Sequence, residues 1–229
     1  GRVRANNQDS GYAGSHLFVV ADGMGGHAGG DVASPIALKR IIEADSDYAT
    51  AEDAQVALQT AIIAANTRLA DTVVDHPELM GMGTTVDAIA VVGDRVAIAH
   101  IGDSRIYLYR DGEISQITTD HTFVQKLVDS GRITPEEALV HPRRSVLMRV
   151  LGDVDAHPEI DSLILGTKPG DRWLLCSDGL SGVVPDQLML QALGSQEPAM
   201  RAGDRLLKEA LDRGAPDHVT IVIYDVGAE

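Results

Sequence analysis

Four aspartates in this 229-residue chain share a local grammar. Asp22 stands in VVADG, Asp103 in HIGDSR, Asp178 in LLCSDG and Asp217 in GAPDHVT, each at a strand end beside glycine or another turn former. Taken singly, an aspartate before glycine is ordinary turn chemistry, because the short side chain hydrogen-bonds its own backbone. Four of them at apolar strand termini allow more, since strand ends on one edge of a sheet converge in space. Converging carboxylates repel one another unless cations sit among them. Aspartates, a backbone carbonyl and water are the oxygen donors that Mg²⁺ or Mn²⁺ takes, and no His/Cys metal spacing competes. Gly23, directly after Asp22, would let the main chain approach a cation and offer its carbonyl.

The glycine-rich stretch ADGMGGHAGGD (residues 21–31) follows the apolar run LFVVA and leads into a helical segment. Strand, glycine turn and helix is also how backbone N–H groups cradle phosphate, and residues 23–28 satisfy the dinucleotide fingerprint G-x-G-x-x-A. Against that reading, Asp22 would aim a carboxylate at a pyrophosphate. The acid expected about 20 residues on falls at Glu43 or Asp45, which end a helix, and the next strands form hairpins. Asp153-Val154-Asp155 mimics an aspartyl nucleophile but follows no apolar strand. Cys176 lacks the downstream arginine of a cysteine-based phosphatase and reads as a buried, inert thiol. The chain has no P-loop and no nucleophile elbow.

The elements that must position these residues alternate irregularly. Residues 32–44 predict a helix with Pro35 in its first turn. Residues 51–75 predict a long helix with Val56, Ile62, Ile63, Leu69 and Val73 as its apolar stripe. TTVDAIAVV, RVAIAHI and RIYLYR predict strands joined by turns at Gly93-Asp94 and Asp111-Gly112, which means antiparallel pairing. Residues 121–151 change character, with short helices, a capping box at Thr134–Glu137 and a basic His141-Pro142-Arg143-Arg144. DRWLLCSDG predicts a strand, residues 186–193 and 198–213 predict helices, and HVTIVIYDV predicts a closing strand. Strands in hairpin clusters and helices in blocks predict an α+β fold.

Hydrophobic residues make up 44% of the chain, aromatics only 3%, and the net charge is −15. The core must therefore be built from Val, Ile, Leu and Ala. A chain this acidic is a poor nucleic-acid partner, because phosphate backbones need Lys and Arg. A single cysteine excludes an intramolecular disulfide and fits a reducing compartment. No apolar run reaches the roughly 18 residues of a spanning helix, so no membrane insertion by this segment is expected. The opening GRVRANNQDS, without Met, reads as an excised start and leaves room for a membrane anchor outside it.

Six motifs in order carry a family resemblance across nearly the whole chain: Arg4-x-x-Asn7-Gln8-Asp9, Val20–His27, Gly81–Thr85, Gly102-Asp103-Ser104-Arg105, Cys176–Leu180 and Pro216–Thr220. The set resembles the type-2C metal-dependent Ser/Thr protein phosphatases, most closely the bacterial branch that opposes Ser/Thr kinases. The resemblance implies a four-layer αββα sandwich, two antiparallel sheets flanked by helices. It implies one catalytic domain over residues 1–229, with an inserted flap subdomain at about 118–151. It implies that Asp22 bridges two Mn²⁺ or Mg²⁺ ions, that Gly23 ligates through its carbonyl, and that Asp178 and Asp217 complete the first ion's ligands. Asp103 matches a third-metal position, Asp9 an acid near the second metal acting through water, and Arg4 the arginine that holds the substrate phosphate.

Chemistry supports this set. Two cations about 4 Å apart lower the pKa of a shared water, and the resulting hydroxide attacks phosphorus in line with the Ser/Thr oxygen. The metals and Arg4 stabilise the non-bridging oxygens. The leaving alkoxide needs a proton, for which His27 and a water are the two candidates. His218, beside Asp217, stands where most relatives carry Asn and can alter support of the metal ligands. His141, Arg143 and Arg144 read either as contacts to acidic phosphoproteins or as a solvated basic face. The expectation is a monomeric, cytoplasmic phosphatase acting on phosphorylated proteins, Ser/Thr kinases among them. Two other readings stay open: a catalytically dead relative serving as a metal-dependent binding module, and a nucleotide-binding oxidoreductase.

Overall fold

The computed structural model describes residues 1–4, 6–25, 29–152 and 157–227. In chain order its strands are β1 (Asp9–Ala13), β2 (Leu17–Met24), β3 (Gly83–Thr84), β4 (Val86–Val92), β5 (Arg95–Ile101), β6 (Arg105–Arg110), β7 (Glu113–Gln116), β8 (Asp161–Gly166), β9 (Arg172–Cys176) and β10 (Ile221–Asp225). Its α-helices are α1 (Gly30–Ile41), α2 (Ala51–Asp75), α3 (Phe123–Asp129), α4 (Pro135–Leu139), α5 (Asp178–Ser181), α6 (Asp186–Leu193) and α7 (Ala199–Asp212). One sheet runs β1-β2-β4-β5-β8 with β3 paired to β2, and the other runs β10-β9-β6-β7; the pairings are antiparallel. The α+β sandwich of two antiparallel sheets flanked by helices is the fold observed.

Three apolar layers hold the four structural layers together, and strand alternation assigns residues to them. Along β2, Leu17 and Val19 face α1 and α2, while Phe18 and Val20 face the second sheet. Along β9, Trp173 and Leu175 fill the space between sheets, while Leu174 and Cys176 face the opposite helices. Both faces of these strands are covered, so they read as continuous apolar runs. The helix side of the first sheet is lined by Ala88, Ala90, Ala97 and Ala99. Small side chains there compensate for the scarcity of aromatics by letting the helices lie close.

The structure corrects two local expectations and adds a strand. On α2, Ala54, Leu58, Ile62, Ala65 and Leu69 are buried, whereas Val56 and Ile63 point to solvent. The alanines supply the buried stripe that larger residues suggested elsewhere. The helix α1 begins at Gly30, so Pro35 lies in its interior rather than in its first turn, leaving the Asp31 carbonyl without its usual helical donor. DSLILG forms β8, an edge strand whose uniformly partial burial leaves no alternation to read. The Asp111-Gly112 turn has positive φ at both positions (53° and 85°), the backbone of a tight hairpin, and both bonds of the Thr134–Glu137 capping box are present.

Ile98 is fully buried between the sheets. Ile98→Ala should cost about 2–5 kcal/mol, while Val56→Ala should stay within about 0.5 kcal/mol, both read from urea unfolding. A large loss in the Val56 variant would contradict the facing of α2.

Candidate metal and phosphate site

The β1–β2 hairpin sets Asp9 directly opposite Asp22. Asp9 is buried; its Oδ2 accepts from the Thr220 hydroxyl at 2.7 Å, and its Oδ1 has no hydrogen-bond partner among the described residues. The backbone of Asp22 is tied at both ends to Thr85. Its N–H donates to Thr85 Oγ1 at 3.0 Å, and its carbonyl accepts from the Thr85 N–H at 2.9 Å and the Thr84 hydroxyl at 3.0 Å. The Gly23 N–H donates to the Gln8 carbonyl at 3.0 Å. A Cβ at Gly23 would collide with the carbonyl oxygens of Gly30 and Gln8, so close packing of backbones demands glycine there.

Thr85 also reaches the next aspartate. Its hydroxyl lies 2.8 Å from Ser104 Oγ, and its side chain presses on Gly102, whose φ of +117° and lack of space both exclude a side chain. One threonine thus braces the strand carrying Asp22 against the turn carrying Asp103. On the second sheet, Asp178 opens α5 just after β9. The Ser177 N–H donates to the Thr220 carbonyl at 3.1 Å, and the Thr220 N–H donates to Ser177 Oγ at 3.0 Å. A Cβ at Gly179 would strike the His218 carbonyl, so the Asp178 turn lies directly on the segment that carries Asp217. Arg4, largely exposed, donates from Nη2 to Asp217 Oδ2 at 3.0 Å.

Electrostatics show that the carboxylates share one field. Burial pushes Asp22 well above the ordinary carboxylate range, and repulsion from Asp9, Asp178 and Asp103 adds to it. Burial, then Asp178 and Asp120, pushes Asp103 up to about 8. Burial raises Asp178 too, with repulsion from Asp217 added and a proton shared from Asp22 acting in the opposite sense. Arg4 is held more firmly protonated by its bond to Asp217, with weaker help from Asp178 and Asp22.

Among the described residues no three His, Cys, Asp or Glu side chains already surround one point as ligands would. The donor set itself fits a hard divalent ion. It is all oxygen, Asp9 Oδ1 is buried and unsatisfied, and the glycine at position 23 keeps backbone close beside Asp22.

Arg4, Asp9, Asp22, Gly23, Asp103, Asp178 and Asp217 are therefore brought to one end of the sandwich. His27 lies outside the described residues, as do Asp153 and Asp155. His218 stands behind the site, with Nδ1 3.4 Å from Asp217 Oδ1 and a buried Nε2 without a hydrogen bond among the described residues. Cys176 is buried, and burial holds its thiol strongly protonated, as expected of an inert side chain. Sequence reasoning assigned no role to Thr85, Ser177 and Thr220, because hydroxyls that brace a backbone carry no spacing signal. Asp120, which adds to the field at Asp103, was also missed; only its bidentate pair with Arg105 (2.8 and 2.7 Å) identifies it.

The sequence profile described as protein phosphatase 2C matches residues 2–220. The serine/threonine protein phosphatase PstP of Mycobacterium tuberculosis is 50% identical over 226 residues, covering 99% of this chain and 43% of PstP, so the chain spans less than half of that relative. The serine/threonine phosphatase stp of Listeria innocua is 35% identical over 233 residues, covering 98% of this chain and 92% of stp. The crystal structure of the Mycobacterium tuberculosis phosphatase PstP/Ppp superposes with a TM-score of 0.94 at 48% identity, covering 99% of this chain and 94% of that one. The PstP catalytic domain in complex with two manganese ions gives a TM-score of 0.90 at 46% identity, covering 100% and 95%. Among the described residues no helix is long and apolar enough to cross a membrane.

The raised carboxylates set a pH dependence for the chelated protein. Their folded pKa values lie above the unfolded ones, so the folded state binds more protons across that interval and stability falls as pH rises through it. For Asp103 the interval runs from the ordinary carboxylate range to about 8. Thermal melts in chelator should drop from pH 5 to 8.5, and added Mn²⁺ should recover more of the loss at the alkaline end. A flat profile would show that these carboxylates ionise freely.

Proposed function

Because the chain belongs to the protein phosphatase 2C family, whose members are metal-dependent Ser/Thr protein phosphatases, we propose that it hydrolyses phosphoserine and phosphothreonine in proteins at the Asp22 site. The observation that carries the reading is a group of half-buried, mutually repelling carboxylates with one exposed arginine beside it. Asp22, the Gly23 carbonyl, Asp178 and Asp217 would hold Mn²⁺ or Mg²⁺, Asp103 would serve a third position, and Asp9 would act through water. Bound cations would supply Lewis acidity, making water nucleophilic near neutral pH and offsetting phosphate charge.

The protein's own groups do the rest. Burial and mutual repulsion hold the Asp22, Asp103 and Asp178 carboxyls above the ordinary carboxylate range, so these groups would gain most from a bound cation. Arg4 is mobile enough to leave Asp217 and present its planar guanidinium to two phosphate oxygens, a geometry suited to holding the substrate and the transition state. Its position at the rim fits a phosphate that arrives on a protein surface. His27, or else water, delivers a proton to the leaving serine or threonine oxygen.

The whole chain serves as one catalytic domain, with residues 118–151 as a flap. A cavity of about 380 Å³ lies between that segment and the carboxylates, with Asp103, Asp178, Gln125, Arg144 and Ser145 in its wall. Arg143 is occupied over the Phe123 ring, 3.8 Å from its centroid, so Arg144 is the cation that faces an incoming phosphoprotein. The substrates include Ser/Thr kinases, which the enzyme opposes as a monomer on the cytoplasmic side.

Turnover of para-nitrophenyl phosphate and of a phosphothreonine peptide tests this, with Mn²⁺ and with chelator. Asp22→Ala should lower kcat by about 10²–10³-fold or more with the circular dichroism spectrum unchanged. Arg4→Ala should chiefly raise KM, by about 10-fold. No Mn²⁺-dependent turnover by the unmodified chain would point to a binding module, and near-normal turnover by the Asp22 variant would remove the site from the chemistry.

A further inference from the structure

Behind the Asp103 turn lies a polar cluster that the reaction does not use. Asp87, His100 and Asp161 stand directly opposite one another across β4, β5 and β8. Asp87 and His100 are fully buried. His100 Nδ1 lies 2.8 Å from Asp87 Oδ1, and its Nε2 lies 2.8 Å from the Thr119 carbonyl. Both ring nitrogens meet acceptors, so the ring is an imidazolium donating twice. Although burial opposes the charge, Asp87 holds His100 up to about 9.

Thr119 begins a run of three residues that are each tied to the chain around Asp103. The Thr119 carbonyl accepts from His100. Asp120 accepts a bidentate pair from Arg105. His121 clamps Gly102 at both polar groups: its Nδ1 accepts from the Gly102 N–H at 3.1 Å, and its own N–H donates to the Gly102 carbonyl at 2.7 Å. The next residue, Thr122, caps α3, its side chain accepting from the Gln125 N–H. The first turn of α3 and the Asp103 turn are therefore hung on one short segment.

The clamp requires one tautomer. With Nδ1 accepting, the His121 proton sits on Nε2 and donates to Asp161 Oδ2 at 2.9 Å. Arg149 Nη1, 3.3 Å from Nε2, cannot donate to a nitrogen that already carries a proton. It serves instead as partner to Asp161 Oδ1 at 3.2 Å, while its Nη2 pairs with Glu159. The His100 and His121 rings are 4.5 Å apart. Burial, together with the positive His100 and Arg149, keeps His121 below its ordinary pKa against the pull of Asp161.

We propose that His121, oriented by His100 and Asp161, is a positioning residue for the Gly102–Asp103 turn, so that cation binding at Asp103 and the placement of α3 are coupled through it. The inference rests on the reading of Asp103 as a metal position. Coupling of this kind is reciprocal: what displaces the 119–122 segment weakens the ion, and the ion steadies the segment.

Two near-isosteric substitutions separate this role from mere packing. In His121→Asn the amide oxygen replaces the Nδ1 acceptor for Gly102, whereas in His121→Gln the amide nitrogen replaces the Nε2 donor and the Gly102 acceptor is lost. Mn²⁺ titrations of the full chain by calorimetry should show the weakest ion bound about 10-fold or more less tightly in H121Q, the usual effect of losing a group that orients a ligand, and close to the unmodified affinity in H121N. Equal affinities, or a weaker H121N, would overturn the proposal. Nitrogen-15 spectra of the unmodified, Mg²⁺-loaded protein keep the test open if either variant fails to fold. They should show His121 with a bare Nδ1, and a protonated Nδ1 would overturn the clamp. An unmodified chain that takes up no Mn²⁺ overturns the metal reading and this inference with it; normal uptake with H121Q unchanged overturns only the clamp.

Discussion

Repulsion among carboxylates gathered at one end of two facing sheets is the constraint on which the rest of this molecule depends. The β1–β2 hairpin alone pairs Asp9 with Asp22, but Asp103, Asp178 and Asp217 come from distant stretches that no short-range interaction would bring to them. Each is partly removed from water, where an isolated charge is costly, and each raises the cost for its neighbours. The apolar layers between sheets and helices provide the driving force. The site is the place where that stability is traded for readiness to bind cations. The family's dependence on metal is therefore a property of the folded chain as well as of its chemistry.

Holding such a group demands rigid backbone, and the fold supplies it with small residues and hydroxyls. Gly23, Gly102 and Gly179 let segments lie against one another where a methyl group would not fit. Thr85 ties the Asp22 strand to the Asp103 turn, while Ser177 and Thr220 tie the Asp178 turn to the start of β10. These contacts are short and multiply bonded, so the acids vary in protonation more easily than in position. Arg4 is the exception, exposed and paired with Asp217 at the rim.

Much of this was legible in the sequence because the clustered aspartates sit beside turn formers at the ends of apolar runs, a pattern that chemistry and chain geometry both constrain. The tight turns at Gly93-Asp94 and Asp111-Gly112 required antiparallel pairing. What escaped notice depends on three-dimensional proximity alone. The buried stripe of α2 is made of Ala54 and Ala65 as much as of leucine and isoleucine, so periodicity weighted towards large residues chose Val56 and Ile63. The strand β8 lies at a half-buried edge, where alternation is weak. Asp87, His100 and Asp161 have no spacing that announces a cluster, since cross-strand register brings them together, and His121 reaches them from the segment after β7.

The buried Asp87–His100 pair also disciplines the assembly of the first sheet. Apart from Val92 opposite Arg95 at the turn end, strand pairing elsewhere in β4 and β5 is between Ala, Val and Ile, and such residues would tolerate a slipped alignment with modest loss. A shift of one residue would turn Asp87 towards the alanine-lined helix side and leave His100 charged between the sheets without its partner. One ion pair in an otherwise forgiving apolar ladder thus acts as a proofreading contact: the only alignment in which both charges are compensated is the one that delivers Gly102 and Asp103 to the rim.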